Sequence, residues 1–464
     1  MAGPPERRLP PARPCARLRR ASGAPLRCGR RCRGERDAPA ASRRADRRDA
    51  QGSAERLHAR VVREDRQVYS RKRLDIGWID LAAAALGAVV SRGAAKLAHD
   101  IEAALAGDGR EAIAFLSLRS GFDLMLRELA LPKGSEVIVS ALTIPDMWTL
   151  LEEHGLRVIP VDVDPATLAP RAADIERLVT PATRAVLVAH LFGTRVDLGE
   201  IVQVARARGL LLWEDCAQTF DTRASCGDAR ADCTMLSFGP IKTATALGGG
   251  ALLFRDGALA ARCRATHATY PRAPSGAFLK RVVKFAGLKF ISLPLPYACF
   301  VRWCAWRGRD YDTAIQMSVR GFARERLLER LRQQPSRGLL WLMLRRIVRS
   351  DGTRVRARKE VGDWLMHALA GTVEVPGRAA PYADHWVFTI LSDERVAFIA
   401  RLRAAGFDAT SVATMRSVPA PADRPDLAPR EAERMLARLV YVPMYPEMPQ
   451  HARERLRAAM SAGR

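Results

Sequence analysis

Two residues of the chain have the chemistry and the placement for covalent catalysis. Asp215 follows an apolar run in Leu211–Phe220 (LLWEDCAQTF), so its carboxylate is predicted at the C-terminal end of a strand. Open parallel sheets bind ligands at that edge. An aspartate there could equally cap the start of a helix. Lys242 stands in a glycine-rich loop, 242 − 215 = 27 residues later, where a lysine is often an ordinary surface amine.

Taken together, the two positions are more specific than either alone. Ser237 precedes Lys242 by five residues, and one predicted strand separates the lysine loop from Asp215. A lysine that forms a Schiff base, a carboxylate that keeps a pyridine nitrogen protonated and hydroxyls that hold a phosphate are the groups that pyridoxal phosphate requires. The loop contains neither GxxxxGK[ST] nor GxGxxG, which excludes a Walker loop and a dinucleotide fingerprint.

The elements that must position these residues alternate along the chain. Short β-branched runs alternate with helical segments, which predicts βαβ crossovers and a largely parallel sheet. The pair 233–237 and 250–254, which flanks Lys242, is predicted as adjacent strands, and 112–116 as a strand or a lead into a helix. The predicted strands are 136–139, 157–161, 185–189 and 210–213; the predicted helices are 144–154, 173–179 and 198–208.

Composition divides the chain into four parts. Residues 1–72 are predicted to be a disordered basic leader, since residues 1–50 hold 15 Arg and 5 acidic residues among Pro, Ala and Gly. Residues 73–271 form the large predicted domain, and residues 361–464 a small C-terminal α/β domain. Between them, residues 272–360 are a basic, partly apolar insertion or helical connector carrying 21 − 6 = 15 net positive charges.

The insertion contains an apolar run, Phe290–Val301, with two prolines and basic residues on both sides. Proline at this density opposes a regular helix. One interpretation is a buried or subunit-contact segment. The other is a peripheral membrane patch with basic rims, formed by residues 280–307.

Composition also excludes several classes of protein. With 48% hydrophobic and 27% charged residues, the chain is neither wholly disordered nor a fibre. Its nine Cys lack metal or disulfide spacing, so we expect no metal site and a reducing, cytoplasmic location. No secretory signal or run of ~18 apolar residues is visible. Although the net charge is +25, aromatic residues make up only 6%, which argues against a nucleic-acid platform.

A known family shares these motifs in the same order. The motifs are Arg119-Ser-Gly-Phe-Asp123, Val161-Asp-Val-Asp-Pro165, His190-Leu-Phe-Gly193, Glu214-Asp-Cys-Ala-Gln218, Ser237-Phe-Gly-Pro-Ile-Lys242 and Val442-Pro-Met-Tyr-Pro446. The chain resembles the DegT/StrS-like pyridoxal-phosphate-dependent nucleotide-sugar aminotransferases. The resemblance implies an α/β fold of type I, with a large, mainly parallel-sheet domain and a smaller C-terminal α/β domain.

The resemblance also implies roles for individual residues. Lys242 would be the Schiff-base lysine and proton shuttle, and Asp215 would pair with the pyridinium nitrogen. Gln218 would approach the 3-oxygen of the ring. Ser237, with the backbone around Ser120–Gly121, would hold the phosphate. The family commonly has an aromatic residue after Thr143; here Ile144 follows, and Trp148, one helical turn on, is the candidate to cover the cofactor.

The resemblance implies that the protein transfers an amino group from an amino acid, glutamate by family analogy, to a keto group. By the same analogy the keto group is that of a nucleotide-linked sugar in cell-surface polysaccharide or secondary-metabolite biosynthesis. A homodimer is implied, although the Asn-Tyr-Arg-Met segment that the neighbouring subunit contributes is not recognisable. Phe122 stands where the family has Thr, and Gly248 where it has Glu. Alternatives are another pyridoxal-phosphate reaction, a catalytically degenerate relative, or a basic protein that binds membrane surfaces or nucleic acid.

Overall fold

The computed structural model describes residues 67–90, 93–221, 227–309, 311–312, 327–411 and 414–462. These residues fall within one compact unit. The boundaries predicted near residues 272 and 361 lie inside it and stay predictions.

A seven-stranded sheet forms the centre of the fold, in the order β1-β9-β8-β7-β5-β2-β4. Strands β2, β4, β5, β7 and β8 pair in parallel, while β9 runs antiparallel to both β8 and β1. Every residue of β2 and of β9 is buried, as expected for a sheet covered on both faces. The sheet strands are β1 Glu111–Phe115, β2 Glu136–Ser140, β4 Arg157–Val161, β5 Thr183–Ala189, β7 Leu211–Asp215, β8 Cys233–Ser237 and β9 Gly250–Phe254.

Shorter strands form three two-stranded ladders: β3 with β12, β6 with β10, and β11 with β13. Their bounds are β3 Leu142–Thr143, β6 Thr194–Arg195, β10 Tyr382–Ala383, β11 Phe388–Leu391, β12 Arg416–Ser417 and β13 Leu439–Val442. The helices are α1 Trp78–Val90, α2 Ala94–Leu105, α3 Leu118–Leu129, α4 Pro145–Glu153, α5 Ala172–Leu178, α6 Gly199–Ala207, α7 Gly257–Ala268, α8 Ser275–Ile291, α9 Pro294–Trp306, α10 Leu327–Leu331, α11 Arg337–Val348, α12 Thr353–Ala368, α13 Arg395–Ala404, α14 Arg430–Arg438 and α15 Gln450–Ser461.

The sheet confirms the predicted α/β architecture with a mainly parallel sheet. The predicted strands on either side of the Lys242 loop are adjacent, as β8 and β9. The ambiguous segment near Ala112 is the strand β1 rather than a helix lead-in, and it completes one side of the sheet. Strands β5, β7 and β8 therefore end at one edge, which is where Asp215 and Ser237 lie.

The end of the predicted leader is wrong for residues 67–72. Val68 and Tyr69 are almost fully buried, and the Tyr69 ring stacks on Phe407 at 5.5 Å. The backbone of Tyr69 also hydrogen-bonds with Gly406 and Asp408. The prediction used local composition, which does not register pairing with a segment more than 300 residues away. Residues 1–66 lie outside the described residues.

As its two prolines led us to expect, the apolar run does not form one regular helix. Two helices meet there, α8 and α9, and both prolines stand in the first turn of α9. Proline is tolerated in a first turn because its missing N–H would have no intrahelical acceptor there. Pro294 and Pro296 therefore mark the start of a helix, and the chain bends by 94° between the two helices.

A buried polar network attaches α9 to the C-terminal part of the chain. The Asp408 carboxylate is fully buried and accepts two hydrogen bonds from the Arg71 guanidinium, at 2.8 and 2.9 Å. The hydroxyls of Tyr297 and Tyr311 donate to the same carboxylate. Burial alone would raise the pKa of Asp408, but the Arg71 charge and hydrogen bonds hold that pKa below its ordinary value.

Replacing Asp408 with asparagine is expected to lower the free energy of unfolding by about 3 kcal/mol, because Arg71 loses the carboxylate that faces it in the interior. Since the pKa of Asp408 is lowered on folding, its contribution is present above about pH 4 and is lost as the pH falls through the lowered value. Urea unfolding of wild type and D408N at neutral and acid pH measures both effects.

The matched control is Asp423→Asn, which removes an exposed carboxylate paired with Arg157. This variant should unfold close to wild type, because exposed ion pairs contribute little. Equal unfolding of D408N and D423N at neutral pH would contradict a stabilising role for the buried network.

Candidate active site

Asp215 and Lys242 lie together at the carboxyl edge of the sheet. Asp215 is the last residue of β7, and Lys242 lies in the loop between β8 and β9. The two are close enough for the Asp215 charge to act on the pKa of the lysine. Both lie deep in the molecule yet keep some exposure, as groups that line a cleft do. Asp215 and Lys242, which are 27 residues apart in the sequence, are therefore neighbours at this edge.

Lys242 has an amine suited to proton transfer. Burial, together with the nearby Arg119 charge, lowers its pKa to about 8, and the Asp215 carboxylate opposes this shift. The amine lies 4.4 Å from the centre of the Trp386 ring, and within the described part of the chain no hydrogen bond engages it. A substantial fraction of this amine is therefore neutral and nucleophilic near neutral pH.

Asp215 does not cap a helix, which settles the alternative left open by the sequence. Its Oδ1 accepts a hydrogen bond from the Ala217 backbone at 2.9 Å, within a turn that follows β7. Burial raises its pKa. Three residues on, Gln218 Oε1 accepts from the Phe192 backbone N–H at 2.8 Å, which fixes that side chain beside the same edge.

The neighbouring carboxylate, Glu214, points to the opposite face of the strand and serves the structure. It lies 2.8 Å from His190 Nε2 and accepts from Thr234 Oγ1 at 2.9 Å. His190 Nδ1 accepts from the Val196 N–H, so its ring proton lies on Nε2 and both ring nitrogens are engaged. Cys216 lies close enough for a metal triad with this pair, but these hydrogen bonds already use the ligand atoms, and burial raises the pKa of the thiol well above its ordinary value.

A hydroxyl cluster marks the first turn of α3. Ser117 caps this helix by accepting from the Ser120 N–H, and the two hydroxyl oxygens are 2.9 Å apart. A Cβ on Gly121 would come within 2.6 Å of Phe115 and Leu252, so only glycine allows α3 to lie this close to the sheet. A helix N-terminus with hydroxyls suits an anion such as phosphate.

Cationic side chains converge on the same end of the site. Arg119 pairs with Asp146, and Arg281 donates to the carbonyl of Leu247 in the lysine loop. Burial and the charge of Arg119 both lower the pKa of Arg281. An anion bound among these cations would offset their mutual repulsion. The described residues thus fit a phosphorylated cofactor that carries an aldehyde.

The structure reveals a second group of functional candidates that the sequence interpretation missed. Lys72 Nζ lies 3.8 Å from the centre of the Trp386 ring and donates to the Trp386 carbonyl at 2.9 Å. The Trp386 indole donates to Ile241 O at 3.0 Å, which holds the ring against the lysine loop. Burial, then the charges of Arg358 and Lys242, lower the pKa of Lys72 well below its ordinary value.

Arg358 extends this group. Its Nη2 lies 2.8 Å from Asp384 Oδ2, and its Nη1 donates to Thr243 Oγ1 at 3.2 Å. Burial raises the pKa of Asp384 to about 6, while Arg358 opposes the shift. In the sequence, only the rarity of lysine, 8 of 75 basic residues, could have drawn attention to Lys72. This residue lies at the end of residues 1–72, which the composition predicts to be a disordered leader.

Trp148 has a different setting from the one expected. It lines a cavity of about 350 Å³ together with Leu156, Val158 and residues 418–422. This cavity adjoins the first residues of β4, the end of that strand opposite the carboxyl edge. The role of Trp148 at a cofactor stays a prediction.

The family model of the DegT/DnrJ/EryC1/StrS aminotransferases matches residues 90–281, which include Ser120, Asp215, Ser237 and Lys242. Residues 90–281 are therefore similar to this aminotransferase family. Its members are pyridoxal-phosphate-dependent. The GDP-perosamine synthase of Caulobacter vibrioides is 34% identical over 157 residues, 33% of this chain and 42% of that protein. The chain spans about two fifths of the length of the curated relatives it matches.

Two solved structures share the fold over most of the chain. PseC of Helicobacter pylori, an aminotransferase of pseudoaminic acid biosynthesis, superposes with a TM-score of 0.63 at 12% identity, covering 85% of this chain and 98% of its own. NtdA of Bacillus subtilis, solved with bound PMP, superposes with a TM-score of 0.58 at 19% identity, covering 82% of this chain and 81% of its own. The expected type I fold is confirmed.

Proposed function

We propose that the protein is a pyridoxal-phosphate-dependent aminotransferase that moves an amino group from glutamate to a keto group of a nucleotide-linked sugar. The observation that carries the proposal is the Lys242 amine, held beside Asp215 with a pKa of about 8. The family match and the resemblance to GDP-perosamine synthases support the substrate class.

Four groups of residues would hold the cofactor. Lys242 would bind it covalently, Asp215 would face the ring nitrogen, and Gln218 would face the ring oxygen. Ser120 and Ser237, with Arg119 and Arg281 nearby, would hold the phosphate. When bound, pyridoxal 5'-phosphate supplies an aldehyde that captures amino groups and a ring that accepts electrons.

The residues of the chain supply the proton transfers and the setting. Lys242 Nζ would accept the proton from the donor carbon and return it to the acceptor carbon, since its lowered pKa makes both steps favourable near neutrality. Asp215 holds a negative charge at the sheet edge. Trp386, only 9% exposed, covers the amine on one side and excludes water there.

The lowered pKa of Lys242 can be measured directly. Labelling with acetic anhydride across a pH series, followed by peptide mass spectrometry, should show the reactivity of Lys242 rising with a midpoint near 8, because only the neutral amine reacts. A free lysine standard should show a midpoint of about 10.4. A Lys242 midpoint equal to that of the standard would contradict the proposed electrostatic environment.

Lys72 is proposed to bind a substrate carboxylate, because a bound anion would stabilise the charged form of an amine whose pKa is lowered by burial, Arg358 and Lys242. Lys72→Met should raise the KM for glutamate about tenfold, which is the effect of losing one charge-assisted hydrogen bond, and should change kcat less. Lys96→Met, on the exposed side of α2, is the matched control and should leave both constants unchanged. An unchanged KM in K72M would contradict the assignment.

The function is tested by mixing cofactor-loaded enzyme with ¹⁵N-glutamate and a panel of nucleotide-linked keto sugars. The proposal predicts one 2-oxoglutarate and one ¹⁵N-labelled amino sugar for each glutamate consumed. Glutamate consumption without an aminated sugar would favour another pyridoxal-phosphate reaction, and no reaction with any donor would favour a degenerate relative. The implied homodimer is tested separately by light scattering of the loaded protein.

A further inference from the structure

The helix pair α8–α9 carries apolar side chains on two sides. On the inner side, Phe278, Val282 and Phe285 of α8 and Tyr297, Val301 and Cys304 of α9 are buried in core clusters. On the outer side, large apolar residues are exposed: Val283 at 67%, Phe290 at 55%, Leu295 at 55%, Trp303 at 45% and Trp306 at 77%. We call these five residues the outer patch. The inner side already attaches the helices to the body, so the outer patch is not needed for packing within the chain.

The charged residues of the helix pair and of residues 307–309, which follow it, are all positive. Residues 275–309 contain seven basic residues and no acidic residue. Lys280, Lys284, Arg307 and Arg309 are exposed, and Arg307 lies over both Trp303 and Trp306, at 5.7 and 5.1 Å from their ring centres. Exposed tryptophans among basic residues are typical of surfaces that insert into the headgroup region of an anionic bilayer.

The geometry suits a helix pair lying on a membrane rather than crossing it. Among the described residues no single helix is long and apolar enough to span a bilayer; α8 and α9 pass that test only together, and they are bent by 94°. Their 17 and 13 residues are each short of the roughly 20 that a spanning helix needs. Most of this pair lies beyond the family-matched segment, which ends at residue 281, so the family core does not account for it.

We propose that the outer patch docks the enzyme onto an anionic phospholipid surface. The apolar side chains would enter the headgroup region, and the surrounding cations would face lipid phosphates. A second copy of the chain is the less favoured occupant, because a two-fold contact would bring the exposed cations of both copies together, namely Lys280, Lys284, Arg307 and Arg309.

The test is flotation of the full cofactor-loaded protein with phosphatidylcholine vesicles, with and without about 30 mol % phosphatidylglycerol. Wild type should float only with the anionic vesicles, and raised salt should weaken this binding. The double variant Trp303→Ser/Trp306→Ser should bind at least about tenfold more weakly, since two large apolar side chains no longer leave water. Trp364→Ser, at an exposed tryptophan of α12, is the matched control and should float like wild type.

Three outcomes would overturn the proposal: no flotation of wild type, equal flotation of the double variant, or vesicle-free self-association that the double variant abolishes. The last would make the outer patch an interface between copies. Glutamate-dependent amino transfer measured without vesicles should be the same in all variants. A failure of membrane docking is thereby distinguished from a failure of the proposed activity.

Discussion

Replacing Lys242 with alanine is expected to lower kcat for amino transfer by about 10⁴-fold, the upper end of what one positioned acid–base group contributes. The variant loses the amine that would carry out proton transfer beside Asp215. The measurement is production of 2-oxoglutarate from glutamate by purified, cofactor-loaded protein.

Two controls separate chemistry from folding in this experiment. Lys133→Ala removes an exposed lysine at a turn before β2 and should leave kcat unchanged. Methylamine in the assay should restore part of the activity of K242A, because a small amine can take over proton transfer in the vacated space. A K242A enzyme with kcat within tenfold of wild type would remove the basis of the proposed function.

Replacing Asp215 with asparagine is expected to lower kcat by about 10³-fold, because a neutral amide cannot stabilise positive charge at the ring nitrogen. A second effect follows from the electrostatics of the site. Since the Asp215 charge raises the pKa of Lys242, the labelling midpoint of that lysine should fall below 8 in D215N.

Glu214→Gln provides the contrast for D215N, since it changes the adjacent carboxylate on the opposite face of β7. That residue holds His190 and Thr234, so its loss should reduce the free energy of unfolding while the folded protein keeps its lysine midpoint. If E214Q shifted the Lys242 midpoint and D215N did not, the assignment of the two carboxylates would be reversed.

Much of the fold could be predicted because its signals are local. Alternating apolar strands and helices identify the parallel sheet, and the polar residues that end β7 and β8 identify its functional edge. The order of strands cannot be read locally. β1, the first strand in sequence, lies at one side of the sheet beside the antiparallel β9.

The rest of the site depends on long-range contacts. Lys72 reaches Trp386 across more than 300 residues, and its neighbours in sequence resemble a charged leader. Nothing in local composition distinguishes such a lysine from a solvated one, whereas Asp215 and Lys242 belong to a recognisable motif. The prolines in the first turn of α9 show the same limit, since their effect depends on which turn of the helix they occupy.

The covalent role of Lys242 is tested most directly by borohydride reduction of the cofactor-loaded wild-type protein, followed by peptide mass spectrometry. We expect a stable pyridoxyl label on Lys242 alone, together with loss of the visible absorption band of the cofactor. Lys72 contacts the same indole ring and is the informative competitor. A label on Lys72, or no label on any lysine, would contradict the claim that Lys242 binds the cofactor.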